Sequence, residues 1–194
     1  MRERFKGWTL FLDRDGVINQ KLKDDYVKNW DEFQFCENSL LALSKLSKIF
    51  NLIIIVTNQR GVGKGVLTET QLNSIHKQML IEIVNTSGRI DKIYFCPEID
   101  DNSECRKPNL GMAKRAKKDF NEINFFKSII VGDSITDMEF GSKLSMKRVF
   151  IAQDKAYIKN EISSLYDFCC YSLYEFSQKL DLFSFEIFEK FDDN

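Results

Sequence analysis

The sequence predicts an α/β fold in which helices flank a central parallel sheet, organised as a single domain over residues 1–194. Short apolar runs alternate with amphipathic stretches along most of the chain, which is typical of βαβ units. The run at 52–58 is too apolar for a half-exposed strand and therefore predicts a central one. The chain holds only two prolines and nine glycines, and no segment has the composition of a linker or a repeat.

Strands and helices are predicted from apolar periodicity and capping signals. The predicted strands cover 9–13, 52–58, 92–96, 128–133, 148–152 and, in a shorter form, about 167–171. The predicted helices cover 38–50, 68–86, 109–120, about 134–144 and a terminal segment after the last strand. In the first helix the leucines fall near one face. Thr68 and Gln71 have capping-box spacing at the start of the second, and Pro108 stands where a helix start tolerates proline.

The charge balance and the apolar pattern argue against several classes of partner. Lys and Arg total 28 against 29 Asp and Glu, whereas a nucleic-acid binder usually shows a basic excess. No apolar run approaches the roughly 20 residues of a membrane span, and the first residues lack the apolar core of a signal peptide. We therefore expect a cytoplasmic monomer without membrane or nucleic-acid partners, whose five cysteines are reduced.

Polar side chains stand at the C-terminal ends of three predicted strands. These residues are Asp13, Thr57 and Asp133. In an open parallel sheet the C-terminal strand ends converge on one crevice, and ligands bind there. The three positions therefore predict a single site, although they lie far apart along the chain.

The segment FLDRDGVIN places two carboxylates, Asp13 and Asp15, just after a strand. Strand alternation directs both to one face, and Gly16 supplies a turn toward the crevice. Hydrolysis of a phosphate monoester needs a nucleophile and an acid for the leaving oxygen. A carboxylate nucleophile divides this slow reaction into two easier steps. Taken alone, the pair fits a solvated turn equally well.

Two further segments could hold a phosphate, one through a hydroxyl group and the other through basic side chains. VTNQRG provides Thr57 and Asn58 before a glycine-rich turn, and hydroxyl and backbone N–H groups there can hold phosphate oxygens. The turn does not match a P-loop, however, and for this segment taken alone an ordinary helix-entry loop is the better explanation. CRKPNLGM offers Arg106 and Lys107, which could neutralise phosphoryl groups or simply lie at the surface.

A metal could be held by the segment GDSITDM, which adds Asp133 and Asp137. Asp133 together with Asp13 suits Mg²⁺, a hard ion that prefers oxygen ligands. Asp137 falls in the first turn of a predicted helix, where a negative charge is also favourable for the helix dipole. Each of these segments is a weak signal alone, and their order and spacing make the combination strong.

LDRDGVIN, VTNQ, CRKP and GDSITDM together resemble the four signature motifs of the haloacid dehalogenase (HAD) superfamily of phosphatases. From about residue 9 to 152 the chain is similar to the branch that contains heptose-bisphosphate and histidinol phosphatases. The resemblance implies a Rossmann-like HAD fold, Mg²⁺ as cofactor, and hydrolysis of a small phosphorylated sugar through an aspartyl-phosphate. A heptose bisphosphate is the first candidate substrate.

The resemblance also implies a role for each motif residue. By this similarity Asp13 is the nucleophile and Asp15 the general acid and base. The residues implied to stabilise the phosphoryl group are Thr57 and Lys107. The residues implied to bind Mg²⁺ are Asp13, Asp15 through its backbone carbonyl, Asp133 and Asp137. The implied substrate contacts are Asn19, Asn58, Lys64 and Arg106, the last directed at a remote phosphate.

The chain departs from this branch in the loop before the lysine motif. Members commonly carry a zinc loop there, with C-x-H and then C-x-C ligands. Here the segment reads CPEIDDNSECRKP, so Cys96 and Cys105 remain while Glu98 and Ser103 stand at the other ligand positions. A closed zinc site uses four nitrogen or sulfur ligands, and we therefore predict no structural zinc. The intervals between motifs are also too short for a cap domain, so we expect an open site.

Several alternatives stay open from the sequence. The closest rival is histidinol-phosphatase, and a third is the phosphatase half of a nucleic-acid repair enzyme, which the neutral charge disfavours. A non-catalytic relative is disfavoured because every motif carboxylate and the motif lysine are present. Lys21 or Lys23, in the lengthened segment after Asn19, could reach a second phosphate or be solvated. The lone His76 is expected at the surface or half buried.

The C-terminal part of the chain is rich in aromatic residues. These aromatics are Tyr171, Tyr174, Phe176, Phe183, Phe185 and Phe188. We expect them to pack in the core and between helices, and a role as an interaction surface is the alternative.

Overall fold

Six parallel strands form the sheet in the computed structural model, which describes residues 3–152 and 164–189. The strands are β1 (Thr9–Leu12), β2 (Leu52–Asn58), β3 (Lys92–Cys96), β4 (Ser128–Gly132), β5 (Lys147–Ile151) and β6 (Phe168–Cys170). Their order across the sheet is β3-β2-β1-β4-β5-β6, and every neighbouring pair is parallel. The predicted parallel α/β fold is confirmed.

The centre of the sheet is β1, with β2 on one side and β4 on the other. Leu10 pairs with Ile53 in β2 and with Ile129 in β4. Along the chain, β2 is added beside β1 and β3 beside β2. The chain then crosses back, and β4 pairs with the other side of β1. Parallel sheets bind ligands at such a reversal, outside the C-terminal strand ends. The topology therefore directs attention to the ends of β1, β2 and β4.

Six α-helices lie in the described ranges. They are α1 (Ser39–Leu46), α2 (Arg60–Gly63), α3 (Glu69–Asn85), α4 (Gly111–Asp119), α5 (Ile135–Lys143) and α6 (Leu173–Glu189). The predicted capping box of α3 is confirmed, because Thr68 and Gln71 exchange side-chain and backbone hydrogen bonds. The one-turn α2 was expected only as a turn. Helix α1 ends before the predicted residue 50 because the chain turns to bury Ile49 and Phe50.

Alternate side chains of the strands enter two separate apolar layers, as the period of a β-strand requires. Leu10 and Leu12 of β1 join the core beneath α1, α3 and α6, whereas Phe11 joins the core beneath α4 and α5. All four side chains of β1 are buried. The central strand thus has apolar packing on both faces, and its first polar side chain beyond the strand is Asp13.

The segment between β1 and α1 is a loop whose aromatic residues pack into the larger core. Its aromatic residues Trp30 and Phe33 stack at 4.9 Å between ring centroids, and Phe35 packs edge-on against Phe33. This loop contains no helix of its own, and the described residues contain no cap domain over the strand ends. Among the described helices, none combines the length and the apolar character that a bilayer span requires.

The C-terminal aromatics differ in their environments. Phe176 is 1% exposed and belongs to the larger core, and Tyr174 packs against that core, as predicted. Tyr171, in contrast, is 47% exposed. The prediction for Phe183, Phe185 and Phe188 falls on side chains outside the described part of α6.

Candidate active site

A crevice of about 300 Å³ opens at the C-terminal ends of β1, β2 and β4. Its lining includes Asp13 and Asp15 after β1, Asn58 at the end of β2, and Asp133 after β4. The predicted convergence of the strand ends is therefore confirmed for these carboxylates. Thr57 lies beneath the crevice, 1% exposed, and its hydroxyl oxygen accepts a hydrogen bond from Gln59 at 2.9 Å.

Asp13 is held rigidly at the floor of the crevice and is 9% exposed. Its backbone N–H donates to the carbonyl of Val131 in β4 at 2.9 Å, which extends the β1–β4 pairing by one residue. Its Oδ1 accepts from the Arg14 backbone N–H at 2.7 Å and lies 3.1 Å from Lys107 Nζ. Burial raises the pKa of Asp13 to about 7, against the opposing effect of Lys107. A bound cation would restore the ionised form that a nucleophile needs.

Lys107 directs its three ammonium protons at three acceptors. Its Nζ lies 2.6 Å from the carbonyl oxygen of Val56, 2.5 Å from Asp137 Oδ1 and 3.1 Å from Asp13 Oδ1. Although burial acts to lower the pKa of Lys107, the carboxylates of Asp13 and Asp137 raise it above its usual value. The lysine is therefore a fixed positive charge beside Asp13.

Asn58 positions that lysine through its backbone. The Asn58 side chain accepts from the Lys107 backbone N–H at 3.0 Å and donates to the Lys107 carbonyl at 3.2 Å. This two-way clamp joins the end of β2 to the CRKP segment. Asn58 lines the crevice as well, so the predicted substrate contact and the clamp involve the same residue.

Asp15 accepts hydrogen bonds from three neighbouring side chains. Arg14 Nη2 donates to both of its oxygens at 2.9 and 3.0 Å, Asn19 Nδ2 donates at 2.9 Å, and Gln59 Nε2 donates at 2.8 Å. Burial acts to raise the pKa of Asp15, but Arg14 and the hydrogen bonds outweigh it and hold the pKa below its usual range. The free protein therefore carries Asp15 as an oriented carboxylate.

Asn19 is fully buried behind Asp15 and does not line the crevice. Its side chain donates to Asp15 and to the Gln20 carbonyl, both at 2.9 Å. Asn19 was predicted as a substrate contact, and the structure places it instead where it orients the carboxylate of Asp15. Gly16 makes this arrangement possible, because it adopts a left-handed φ of 85° and donates to the Asn19 carbonyl at 2.7 Å.

The prediction that His76 lies at the surface or half buried is wrong. His76 is 5% exposed, and its Nε2 lies 3.2 Å from Nη1 of Arg14, a side chain that is itself 1% exposed. Burial and the charge of Arg14 lower the pKa of His76 to about 3, so the imidazole is neutral. The arginine thus spans from α3 to Asp15, and neither Arg14 nor Gln59 was identified from the sequence. The only signal was a basic residue between the two carboxylates that follow β1.

Three carboxylates form a cluster that could hold a metal ion. Oxygens of Asp13, Asp133 and Asp137 lie within 4.8 Å of one another. Lys21 Nζ contacts Asp133 Oδ2 at 2.8 Å, so this position already attracts a cation. Burial raises the pKa of Asp133, although Lys21 acts in the opposite direction. Hard, closely spaced, partly charge-compensated oxygens fit Mg²⁺.

Asp137 differs from the other two carboxylates because both of its oxygens are engaged. One accepts from Lys107, and the other accepts from the hydroxyl of Ser134 at 2.5 Å and from its backbone N–H at 3.1 Å. Asp137 is also fully buried as part of the capping box of α5. It therefore suits positioning of Lys107 better than direct ligation, and Asp13 and Asp133 are the better-placed ligands.

The predicted substrate contacts at the rim separate into two groups. Arg106 lines the crevice, with its Nε 2.9 Å from Asp101 Oδ1. Lys64 is exposed, does not line the crevice, and places its ammonium 5.4 Å from the ring centroid of Tyr26, which does line it. Lys21 faces the carboxylate cluster and contacts Asp133.

The expectation of five reduced cysteines is wrong for one pair. Cys96 at the end of β3 and Cys105 before the lysine motif form a disulfide with a Cα–Cα distance of 5.4 Å. The loop 97–104 returns to β3 at this point, which brings the two thiols together. Cys36, Cys169 and Cys170 are free. In this pairing neither Cys96 nor Cys105 offers a thiolate as a metal ligand.

Comparisons with known proteins agree with the arrangement of the crevice. The family described as polynucleotide kinase 3 phosphatase matches residues 10–166 of the chain. A D-glycero-alpha-D-manno-heptose-1,7-bisphosphate 7-phosphatase of Mycobacterium bovis is 35% identical over 139 residues, covering 71% of this chain and 73% of that protein. A D-glycero-beta-D-manno-heptose-1,7-bisphosphate 7-phosphatase of Neisseria meningitidis serogroup A is 38% identical over 131 residues, covering 67% and 69%.

A solved structure has the same fold. The crystal structure of D,D-heptose 1,7-bisphosphate phosphatase from B. bronchiseptica, complexed with magnesium and phosphate, matches with a TM-score of 0.80. The two chains are 27% identical, and the match covers 90% of this chain and 98% of that one. That relative was crystallised with the ion and the anion that the crevice described above is suited to hold.

Proposed function

Because the chain belongs to the HAD superfamily of phosphatases, in the family described as polynucleotide kinase 3 phosphatase, we propose that it removes the 7-phosphate of a heptose 1,7-bisphosphate. The observation that carries this proposal is the contact between Asp13 and Lys107 beside the Asp133 carboxylate. A buried carboxylate next to a fixed cation and a metal-binding oxygen set is suited to attack phosphorus. Relatives of both anomeric names support the sugar as substrate, without favouring one anomer.

In the first step an oxygen of Asp13 forms a bond to phosphorus, and the bond from phosphorus to the sugar oxygen breaks. Lys107 lies beside that attacking oxygen and neutralises charge as the aspartyl-phosphate forms. Mg²⁺, held by Asp13 and Asp133 and by the Asp15 carbonyl, would neutralise phosphate oxygens when bound. The backbone contact of Asp13 to Val131 keeps the nucleophile in place, because it locks the residue to the sheet.

Asp15 serves both proton transfers in this proposal. The departing sugar oxygen takes a proton from Asp15, and the arrival of the anionic substrate favours that protonated form because nearby negative charge raises a carboxyl pKa. In the second step Asp15 accepts a proton from water, and the oxygen of that water attacks the aspartyl-phosphate to release phosphate and regenerate Asp13. The hydrogen bonds from Arg14, Asn19 and Gln59 hold Asp15 in the orientation that both transfers need.

We further infer that the enzyme acts as a cytoplasmic monomer on a small molecule rather than on nucleic acid, and without zinc. The near-neutral net charge of −1 supports the small-molecule substrate, since a nucleic-acid substrate usually requires a basic surface. Size-exclusion chromatography with light scattering would test the monomer. Elemental analysis that found one zinc per chain would contradict the last inference.

The experiment that tests the proposed function is phosphate release with Mg²⁺ across a substrate panel. The panel holds both anomers of heptose 1,7-bisphosphate, histidinol phosphate, other sugar phosphates and a 3′-phosphorylated oligonucleotide. We expect the highest kcat/KM on a heptose bisphosphate and loss of turnover in a folded Asp13→Asn variant. A preference for the oligonucleotide or for histidinol phosphate would refute the substrate, and turnover by Asp13→Asn would refute the nucleophile.

A further inference from the structure

Two arginines meet on one carboxylate at the rim of the crevice. Asp101 Oδ1 accepts from Nε of Arg106 at 2.9 Å and also from Nη2 of Arg60. Both arginines line the crevice that contains Asp13 and Asp133. The side chain of Arg106 is 13% exposed and that of Arg60 is 30% exposed, whereas the side chain of Asp101 is 80% exposed. The two guanidinium groups are therefore the sheltered partners, and the carboxylate faces solvent.

Each arginine directly neighbours a residue that is anchored at the reaction centre. Arg60 follows Gln59, whose side chain donates to Asp15 at 2.8 Å. Arg106 precedes Lys107, which lies 3.1 Å from Asp13. Both guanidinium groups are thus attached beside the reacting carboxylates without contacting them. This placement suits a group of the substrate that is remote from the scissile phosphate.

The charge at this rim is incompletely balanced by the protein. Two guanidinium cations share one carboxylate oxygen, which leaves an excess positive charge at the mouth of the crevice. In addition, the buried Nε of Arg60 has no hydrogen-bond partner among the described residues. A phosphate dianion complements such a pair, because guanidinium groups donate in a planar fork that matches phosphate oxygens.

A purely structural role as a brace for the loop 97–104 is less suited to these facts. That loop is already closed at both ends by the disulfide between Cys96 and Cys105. It is also anchored from within, because the side chain of Asn109 donates to the carbonyls of Asp101 and Ser103 at 3.2 and 2.9 Å. Placing two like charges on one solvent-facing carboxylate adds little to these constraints, since exposed ion pairs contribute little stability.

We propose that Arg60 is the second guanidinium of a subsite for the remote phosphate of a sugar bisphosphate, acting with Arg106. Asp101 holds the two side chains over the crevice when no substrate is bound, and the phosphate takes its place as the shared acceptor. This inference rests on the proposed function, because it assumes a substrate with two phosphates. It assigns specificity to Arg60, a residue that no signature motif singles out.

The test compares a heptose 1,7-bisphosphate with the corresponding heptose 7-phosphate, in the wild type and in Arg60→Gln and Arg60→Lys. For Arg60→Gln we expect KM for the bisphosphate to rise about 10- to 100-fold, the range of a charge-assisted hydrogen bond, with kcat within about twofold. The kcat/KM for the 7-phosphate should not change. Arg60→Lys keeps the positive charge but loses the planar fork of donors. Its KM for the bisphosphate should lie between those of the wild type and Arg60→Gln.

Lys114→Gln is the matched charge control. Lys114 is 67% exposed and pairs with Glu104 at 2.7 Å, away from the crevice lining. This variant removes one positive charge that pairs with the same loop, at Glu104 instead of Asp101, so its kinetics toward both substrates should match the wild type. If Lys114→Gln and Arg60→Gln raise KM for the bisphosphate equally, general electrostatic attraction explains the effect. That result would overturn the proposal.

The remaining outcomes separate this inference from the proposed function. An unchanged bisphosphate KM in Arg60→Gln, while the wild type still prefers the bisphosphate, overturns the inference alone. If Arg60→Gln and Arg60→Lys both lose kcat/KM equally on the two substrates, Arg60 has a structural role. That result also overturns the inference. A wild type that turns over the 7-phosphate as well as the bisphosphate, or neither of them, refutes the proposed substrate and this subsite together.

Discussion

Each carboxylate that serves the proposed reaction has its own cation in the structure. The pairs are Asp13 with Lys107, Asp15 with Arg14 and Asp133 with Lys21. Two of these cations are almost fully buried, whereas the side chain of Lys21 is 48% exposed. A partly exposed ammonium is displaced more easily than a buried one, because water can solvate it after it leaves. Lys21 is therefore the cation that a metal ion bound at this site would displace most easily.

At the residue scale we predict that Lys21→Gln binds Mg²⁺ about two- to fivefold more tightly than the wild type. Lys21 Nζ contacts Asp133 Oδ2. Without Lys21, an incoming metal ion does not have to break this partly exposed ion pair, which is worth about 0.2–1 kcal/mol. Isothermal titration of Mg²⁺ into the protein measures the change directly.

Lys23→Gln is the control for the Mg²⁺ titration, since Lys23 is exposed on the same loop and does not line the carboxylate crevice. Its Mg²⁺ affinity should stay close to that of the wild type. Weaker Mg²⁺ binding by Lys21→Gln would show that Lys21 supports the metal site rather than competing with it.

At the scale of elements, the junction between β4 and α5 positions the charged centre. Asp137 forms a capping box with Ser134 in the first turn of α5 and reaches Lys107 with its other oxygen. The approach is close because residue 132 has no side chain, and a Cβ at Gly132 would lie 2.3 Å from the Cβ of Asp137. The tight packing of strand against helix at this glycine therefore sets where Lys107 is anchored.

We predict that Gly132→Ala lowers the stability of the protein by about 1–3 kcal/mol, the usual cost of overpacking a buried site. Turnover should fall as well, since Asp137 must shift away from Lys107. Chemical denaturation and phosphate release measure the two effects. Glu139→Ala, on the exposed face of α5, should stay within about 0.5 kcal/mol of the wild type. Wild-type stability in Gly132→Ala would show that the junction can relax.

At the scale of the whole molecule, His76 ties α3 to the reaction centre through Arg14. The histidine and the arginine are 62 residues apart in sequence and contact each other in the interior. Because His76 is buried beside a cation, its pKa lies at about 3 in the folded protein, against 6.5 for a solvated imidazole. The unfolded chain therefore takes up a proton below pH 6.5 that the folded protein excludes until the pH approaches 3.

We predict that this exclusion reduces the free energy of unfolding by about 1.4 kcal/mol per pH unit as the pH falls below 6.5 toward 3, and not above pH 6.5. His76→Gln, which cannot titrate but can still accept from Arg14, should show a shallower dependence over this window. Denaturation curves at several pH values measure the difference between the two slopes.

Lys77→Gln serves as the control for the unfolding curves, because Lys77 neighbours His76 on the same helix but is exposed. Its pH dependence should follow the wild type. If the free energy of unfolding depended equally on pH in the wild type and in His76→Gln between pH 6.5 and 3, the prediction would be wrong. His76 would then take up its proton in the folded protein as readily as in the unfolded chain.

Local patterns in the sequence predicted the sheet, the ends of its strands and the carboxylates that stand there. The capping box of Thr68 and Gln71 and the buried run of β2 are examples, because both depend on residues close together in the chain. The order and spacing of the motifs predicted Asp13, Asp15, Lys107 and Asp133 as site residues. The resemblance to a phosphatase superfamily supplied their roles.

Only the tertiary structure decided which side chains meet across long separations. It paired Arg14 with His76, Arg60 with Asp101, and Cys96 with Cys105, and it turned Asn19 inward to orient Asp15. Periodicity assigns a residue to a face of its element, but it carries no information on which distant element packs against that face. Which distant residues contact each other depends on how the helices and loops pack on the sheet. That packing determines which charged groups and hydrogen bonds surround the crevice.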